Sequence, residues 1–246
     1  LTLKNVNDMV IRDRNHPSIV IWGVRINESS DDKELYSKTN ELARSLDDTR
    51  QTGGVRNIAR SEFLEDVYTY NDFSHKGNNK GLEDKRRITR KKHPYLVTEF
   101  NGHMFPTKRY DDEKHQLDHA LRHLNVLNEM AAKKNGISGA IGWCMNDYNT
   151  HQEFGSGDHV CYHGVLDMFR IPKLASYVYS SQQDKTPVLE LSSNMNIGDY
   201  PSGNIEHVYA FTNCNYIKLY KNNEYIETFY PAVKKYTNIK HPPIII

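Results

Sequence analysis

The sequence predicts an α/β chain, part of a (β/α)8 barrel, followed by a small antiparallel β module. Three observations predict it. Over residues 1–183, apolar strand-like runs alternate with helical stretches, the order of parallel βαβ units. Near Asp184–Pro187 the hydrophobic period changes from helical to alternating. A complete barrel takes about 250 residues, about 31 per unit, so the 183 residues of the α/β part hold five units and fall short of eight.

The elements follow in order. Leu3, Val6 and Val10 recur at helical spacing, and Pro17 lies shortly after that helix. Ile19–Val24 is apolar on both faces, as suits a strand buried in a parallel sheet. Ser30-Asp31-Asp32 supplies cap chemistry for a helix carrying Leu35, Thr39, Leu42 and Leu46. A weaker strand lies near Gln51–Val55, another at Asp66–Tyr70, and a fourth at Tyr95–Phe100 after Pro94. Leu117, Leu121, Leu124, Leu127 and Ala131 mark a long helix that Gly136 is expected to stop. Ala140–Cys144 is the fifth strand, and Pro172 opens a last helix through about Ser181. Beyond the boundary, Val188–Leu191, Val208–Thr212, Tyr216–Tyr220 and Tyr225–Phe229 read as strands. The last two flank Asn222-Asn223, residues that tolerate positive φ in a tight hairpin turn. The domains are thus 1–185 and 186–246, the second a small β-sandwich cut short.

Composition narrows the partners. The 246 residues are 37% hydrophobic, 26% charged and 11% aromatic, which is globular and excludes wholesale disorder. Lys and Arg number 32 against 31 Asp and Glu, a net charge of +1. Such a balance implies no basic face and argues against nucleic acid as the main partner. No run approaches the ~18 apolar residues of a membrane span, so no membrane partner is expected. Cys144, Cys161 and Cys214 are odd in number and far apart, fitting neither a disulfide framework nor a Cys-x-x-Cys zinc site. The chain begins at Leu1 and ends His-Pro-Pro-Ile-Ile-Ile, three isoleucines expected to lie exposed. It is read as an excised piece of a longer protein, and the parent's compartment is left open.

Two acidic residues follow strand-like runs: Glu28 after Trp22–Asn27, and Glu99 after Tyr95–Thr98. Strand C-termini face the catalytic end of a parallel barrel, so both carboxylates would look into one pocket. Glycosidic bond cleavage needs such a pair, one protonated to assist the leaving oxygen and one ionised to attack the anomeric carbon. Burial would raise the pKa of the acid, and hydrogen-bond donors would hold the nucleophile charged. On spacing alone, a solvated rim is the better reading of two such residues among 31.

The wording of the segments goes further. Arg12-Asp13-Arg14-Asn15-His16-Pro17-Ser18-Ile19-Val20-Ile21-Trp22, then Asn27-Glu28-Ser29, closely resembles the acid/base segment of family 2 glycoside hydrolases, above all the β-galactosidases. Thr98-Glu99-Phe100 is similar to the family's nucleophile segment, and Gly139-Ala140-Ile141-Gly142-Trp143 resembles its eighth barrel strand. The resemblance covers roughly residues 4–183 and implies barrel strands four to eight, with an immunoglobulin-like β domain beginning after them. It implies Glu28 as general acid/base and Glu99 as nucleophile of a retaining β-glycosidase. Asn27 would bond the sugar 2-hydroxyl, and Trp143 would offer its face to the pyranose ring. Arg56 and Tyr70 stand at or near the ends of intervening strands, and Asn101, His103, Asn146 and Asp147 follow catalytic ones, so these are further substrate-binding candidates. For each loop residue, capping backbone is an equally good reading. The group orienting the nucleophile is left open among Tyr68, Tyr70 and Asn71-Asp72-Phe73, and Arg25 either points outward or enters a carboxylate network.

His115, His119 and His123 recur every four residues, but no His-Glu-x-x-His pattern accompanies them, and a solvated or satisfied helix face is preferred to zinc. No cofactor is required. Some β-galactosidases of the family use Mg²⁺ beside the acid, partly on earlier barrel strands, and this segment does not itself support such a site. Gly164–Lys173 has no Asn-x-Lys triplet, which favours galactoside over the glucuronide of a β-glucuronidase; β-mannosidase is the other alternative within the family. The expected partners are a β-galactoside and the rest of the parent chain, with edge-mediated homo-oligomers compatible. The rivals are a non-catalytic β-glycan binding protein or degenerate homologue and, more weakly, a metallohydrolase.

Overall fold

The computed structural model describes residues 1–74, 81–90, 92–102, 105–132, 136–151, 157–195 and 206–246. They form two compact units. The first comprises Leu1–Phe73, Leu82–Phe100 and the strand end up to Ile141; the second is chiefly Asn101–Ala132 and Gly142–Ile246.

In the first unit, α1 (Thr2–Asp13) buries Val6 and Val10 against Trp22, Val24 and Ala43. Trp22 belongs to β1 (Ile21–Gly23) and Ala43 to α2 (Lys33–Leu46). Asp32 caps α2 by accepting the Leu35 N–H at 3.0 Å, the role its side chain suits. Trp22 also donates Nε1–H to Asp47 Oδ2 at 2.9 Å, the oxygen that Arg50 reaches at 2.6 Å. β1 pairs in parallel with β2 (Gln51–Gly53), and a parallel bridge from Gly53 to Val67 leads to β3 (Tyr68–Asp72). After the short α3 (Lys85–Ile88), β4 (Tyr95–Phe100) pairs in parallel with β3, and β5 (Gly139–Gly142) lies beside β4. The five strands are thus neighbours in chain order, as staves of a barrel would be. Among the described residues they form sheets of two and three strands and do not close. Gly54 fits where a side chain would not, since a Cβ there would lie only 2.7 Å from Arg25 Cβ.

The second unit is built on α4 (Glu113–Met130) and α5 (Leu174–Ser180). A two-residue pairing joins β6 (Tyr148–Asn149) to β7 (Val160–Cys161). β8 (Leu189–Leu191) pairs antiparallel with β9 (Tyr209–Thr212). β10 (Ile217–Lys221) and β11 (Glu224–Phe229) form a hairpin around Asn222 and Asn223, at φ 51° and 68°, the positive values a tight hairpin turn demands. β12 (Ile244–Ile245) completes the order β12-β9-β8. The core joins Leu117, Ala120 and Leu124 of α4 to Ala175 and Val178 of α5 and to Tyr209, Phe211 and Tyr236.

Several sequence expectations need correction. Val20 is 81% exposed, so the Ile19–Val24 run is not buried on both faces, and only its central residues pair as β1. Helix α4 stops at Met130 with Ala131 as its cap, well short of Gly136, which lies outside the helix at φ 60°. The isoleucine end is not exposed: Ile244 is fully buried and paired to Ala210. The elements α3, β6, β7 and β12 have no counterpart in the sequence reading.

Candidate active site

The turn after β1 delivers Glu28, and Arg25 underpins it. The Arg25 side chain is wholly buried. Its guanidinium reaches Asp31 at 2.5 Å and Glu62 at 3.5 Å, and lies 4.6 Å from the centre of the Tyr36 ring. Tyr36 in turn donates its hydroxyl hydrogen to Ser29 Oγ at 2.6 Å, and Glu62 accepts the Asp32 N–H at 3.0 Å. Of the two readings of Arg25, it is the carboxylate network that forms. The residues flanking Glu28 on its C-terminal side are tied down, while Glu28 itself stays exposed.

Glu99 is delivered by a break in strand register. Tyr70 pairs with Val97, but Asn71 pairs with Glu99, so Thr98 is an extra residue in β4. Side chains alternate along a regular strand, and Tyr70 and Asn71 face opposite ways. The slip therefore turns Glu99 onto the face of Asn71, away from that of Val97; bulges re-aim side chains in this manner. Asn71 donates Nδ2–H to Glu99 Oε2 at 2.8 Å, and the Thr98 hydroxyl donates to Asn71 Oδ1 at 2.9 Å.

Asn27 completes the line. In the amide orientation that satisfies both its neighbours, Asn27 accepts from Asn71 Nδ2 at 2.9 Å and donates to Glu28 Oε2 at 2.6 Å. Glu28, Asn27, Asn71 and Glu99 thus form one continuous polar chain across β1, β3 and β4. Burial pushes the Glu99 carboxyl above its ordinary range, the negative charge of Glu28 adds to that, and the Asn71 donor pulls part of it back. The expectation that donors hold this carboxylate low is not met, because one N–H does not outweigh partial burial beside a like charge.

The structure takes other candidates elsewhere. Arg56 is buried, ion-paired with Glu65 at 2.5 Å, donating to the Glu62 carbonyl at 2.7 Å and lying over the Tyr68 ring at 4.4 Å. Its guanidinium is occupied by the protein. Tyr70 points to the face opposite Asn71, its hydroxyl pKa raised by burial and then by the charges of Asp72 and Glu83. Neither it nor Tyr68 takes the place beside Glu99 that Asn71 fills. In the second unit, Trp143 is 43% exposed and donates Nε1–H to the Tyr148 hydroxyl at 3.1 Å. It lines an open cleft of about 480 Å³ with Met145, Asn146, Tyr148, Met168 and Arg170. Asp147 is buried against Lys173 at 2.6 Å and accepts the Gly164 N–H at 2.9 Å. Asn101 is buried at φ 68°, and His103 lies outside the described residues.

The helical histidines contact the protein's own groups, although His119 Nδ1 is buried without a hydrogen-bond partner among the described residues. His123 lies 2.7 Å from the Tyr179 hydroxyl and 3.3 Å from His119, and His115 stacks on Phe105. Burial holds His119 well below the usual imidazole pKa, with the neighbouring His123 adding to the effect. Among the described residues no group of three His, Cys, Asp or Glu side chains is arranged to hold a metal ion.

Asn71 was one of several open options, and no local signal singles it out: its role depends on a register slip 27 residues further on.

Comparisons with known proteins identify the family. The family described as glycosyl hydrolases family 2, TIM barrel domain, matches residues 1–188. A β-galactosidase of Thermoanaerobacterium thermosulfurigenes is 54% identical over 99% of this chain and 34% of its own length. A β-galactosidase of Thermoanaerobacter pseudethanolicus is 43% identical over 98% of this chain and 32% of its own. The chain therefore spans about a third of the curated relatives it matches. A crystal structure of Parabacteroides merdae β-glucuronidase superposes with a TM-score of 0.74 at 18% identity, covering 99% of this chain and 34% of that one, a likeness of fold. With the family match extending over most of its residues, the chain belongs to glycosyl hydrolase family 2 and carries the TIM-barrel domain of that family.

Proposed function

We propose that the whole protein is a retaining exo-β-galactosidase and that this chain contributes both catalytic carboxylates. The observation that carries the reading is the unbroken polar line from Glu28 through Asn27 and Asn71 to Glu99. In the first step Glu28 protonates the glycosidic oxygen as Glu99 attacks the anomeric carbon, giving a covalent galactosyl–enzyme and a free aglycone. In the second, Glu28 takes a proton from water, which displaces Glu99 and returns the β-anomer.

Asn27 is placed in the reading as the partner of the sugar 2-hydroxyl, and the open face of Trp143 as the platform for the pyranose. Galactoside is favoured by the two relatives of 54% and 43% identity, both named β-galactosidase. The reading extends to architecture: β1 to β5 as barrel strands four to eight, residues 1–185 as the end of the catalytic domain, and 186–246 as the start of an immunoglobulin-like domain. Beside Glu28, the Asp31 carboxylate is already held by Arg25 and Ser61. Among the described residues no group of three His, Cys, Asp or Glu side chains is arranged to hold Mg²⁺.

The test is a panel of nitrophenyl glycosides on the whole protein, with Glu28→Gln and Glu99→Gln alongside. The β-galactoside should be the preferred substrate, released first as the β-anomer, with both variants crippled. A preference for β-glucuronide would move the substrate class, and α-galactose as first product would contradict retention. An experimental structure should show the two carboxyls about 5–5.5 Å apart.

A further inference from the structure

We propose that Asn71, clamped by Thr98, is the positioning residue of the nucleophile, and that it ties both catalytic carboxylates to a single amide. This deepens the retaining-glycosidase reading and rests on it.

The argument is one of donor counting. A carboxamide offers two N–H donors and one acceptor oxygen. The Glu99 carboxylate and the Asn27 oxygen are both acceptors, and both lie within 2.9 Å of Asn71 Nδ2. Reversing the Asn71 amide would set its oxygen against theirs. The Thr98 hydroxyl, bonded to Asn71 Oδ1 at 2.9 Å, holds the same orientation from the other side. With its oxygen so engaged, Asn27 directs its own NH2 to Glu28. Donation thus runs outward from Thr98 to Asn71, and from Asn71 along two branches, one ending on each glutamate.

The backbone is arranged for this contact. Thr98 is the residue by which β4 exceeds β3; in a regular strand, without the slip, Glu99 would share the face of Val97. The same residue that creates the slip supplies the hydroxyl that fixes Asn71. Asn71 is 1% exposed, so water does not compete for its hydrogens. A buried, preoriented donor aimed at one oxygen of a nucleophile leaves the other free for attack and limits its rotation, which is worth far more in a dry site than in water. Among the described residues, the titratable group whose charge reaches Glu99 is Glu28.

The experiment uses the whole protein: wild type, Glu99→Gln, Asn71→Ala, Thr98→Val and Thr98→Ser, assayed on nitrophenyl β-galactoside across pH, with a thermal melt of each. Asn71→Ala should lower kcat about 10²-fold with little change in KM. It should also move the acid limb of kcat/KM to higher pH, because losing a donor makes Glu99 harder to ionise. Thr98→Val should do the same in smaller measure, and Thr98→Ser, which keeps the hydroxyl, should return towards wild type. The Thr98 pair decides the matter if Asn71→Ala melts early. An acid limb that stays in place in Asn71→Ala and Thr98→Val, with wild type active and Glu99→Gln inactive, overturns the positioning role and leaves the function standing. A wild type that hydrolyses no glycoside, or an active Glu99→Gln, overturns the function and this inference with it.

Discussion

The two glutamates sit in different surroundings although each belongs to the end of a strand of the same sheet system. Glu28 stands past the end of β1, exposed, on a turn whose rigidity comes from behind, where Arg25 gathers Asp31 and Glu62. Glu99 stands inside β4, half-buried, with Asn71 in direct contact. The first arrangement leaves a carboxyl in touch with water, as suits the acid/base role proposed for it. The second confines a carboxylate at a fixed bearing, as suits the nucleophile role proposed for it. Placing equal side chains in unequal settings is how one site obtains two roles from one residue type.

The sharpest way to break that contrast is to delete each carboxylate and offer a small anion in its place. In the whole protein, Glu99→Ala and Glu28→Ala should each lose about 10⁴-fold or more in kcat. Azide with Glu99→Ala should yield α-galactosyl azide, since the anion attacks from the vacated side. With Glu28→Ala it should yield the β-azide by intercepting the covalent intermediate. Product anomers read by NMR check this, and identical products would abolish the distinction.

Next in size is the support beneath Glu28. Arg25→Ala removes a buried cation from two carboxylates, and by analogy with other broken buried pairs it should cost about 3 kcal/mol of stability, measured by denaturant titration. Arg25→Lys should recover only part, since an ammonium cannot reproduce the planar fork. A wild-type stability for Arg25→Ala would mean the network does not hold the turn.

The smallest effect is electrostatic. Because the charge of Glu28 raises the Glu99 pKa, Glu28→Gln should lower it, so the acid limb of kcat/KM should move to lower pH. A dinitrophenyl galactoside, whose leaving group needs no proton, lets this be seen in the variant. A shift to higher pH would show that the two groups do not face one another.

Much of this was legible in advance where a pattern repeats. The leucines of α4, the extent of β4 and the Asn222-Asn223 turn follow from periodicity and turn chemistry, because each depends on neighbours a few residues away. The two carboxylates were singled out differently, by the resemblance of the Asn27-Glu28 and Thr98-Glu99 segments to those of a known family, since spacing alone favoured a solvated rim. What could not be read was whatever depends on partners distant in the chain. Arg56 sits at a strand end like a pocket residue, yet Glu65 and the Tyr68 ring claim it. Gly136 looks like a helix stop, but α4 ends sooner. Two-residue pairings such as β6 with β7 are too short to have a period, and the register slip at Thr98 leaves no mark in composition.

The shared core of α4, α5 and β9 bears on how the polypeptide can be divided. The family match ends at residue 188, which makes that point a tempting place to truncate. Severing the chain there would strip Tyr209, Phe211 and Tyr236 from Leu117, Leu124 and Val178. Each large apolar side chain left bare forfeits about 1.5–3 kcal/mol. The strands after residue 188 act as a keel for the last helices of the barrel domain, and the seam suggested by homology is not a mechanical one.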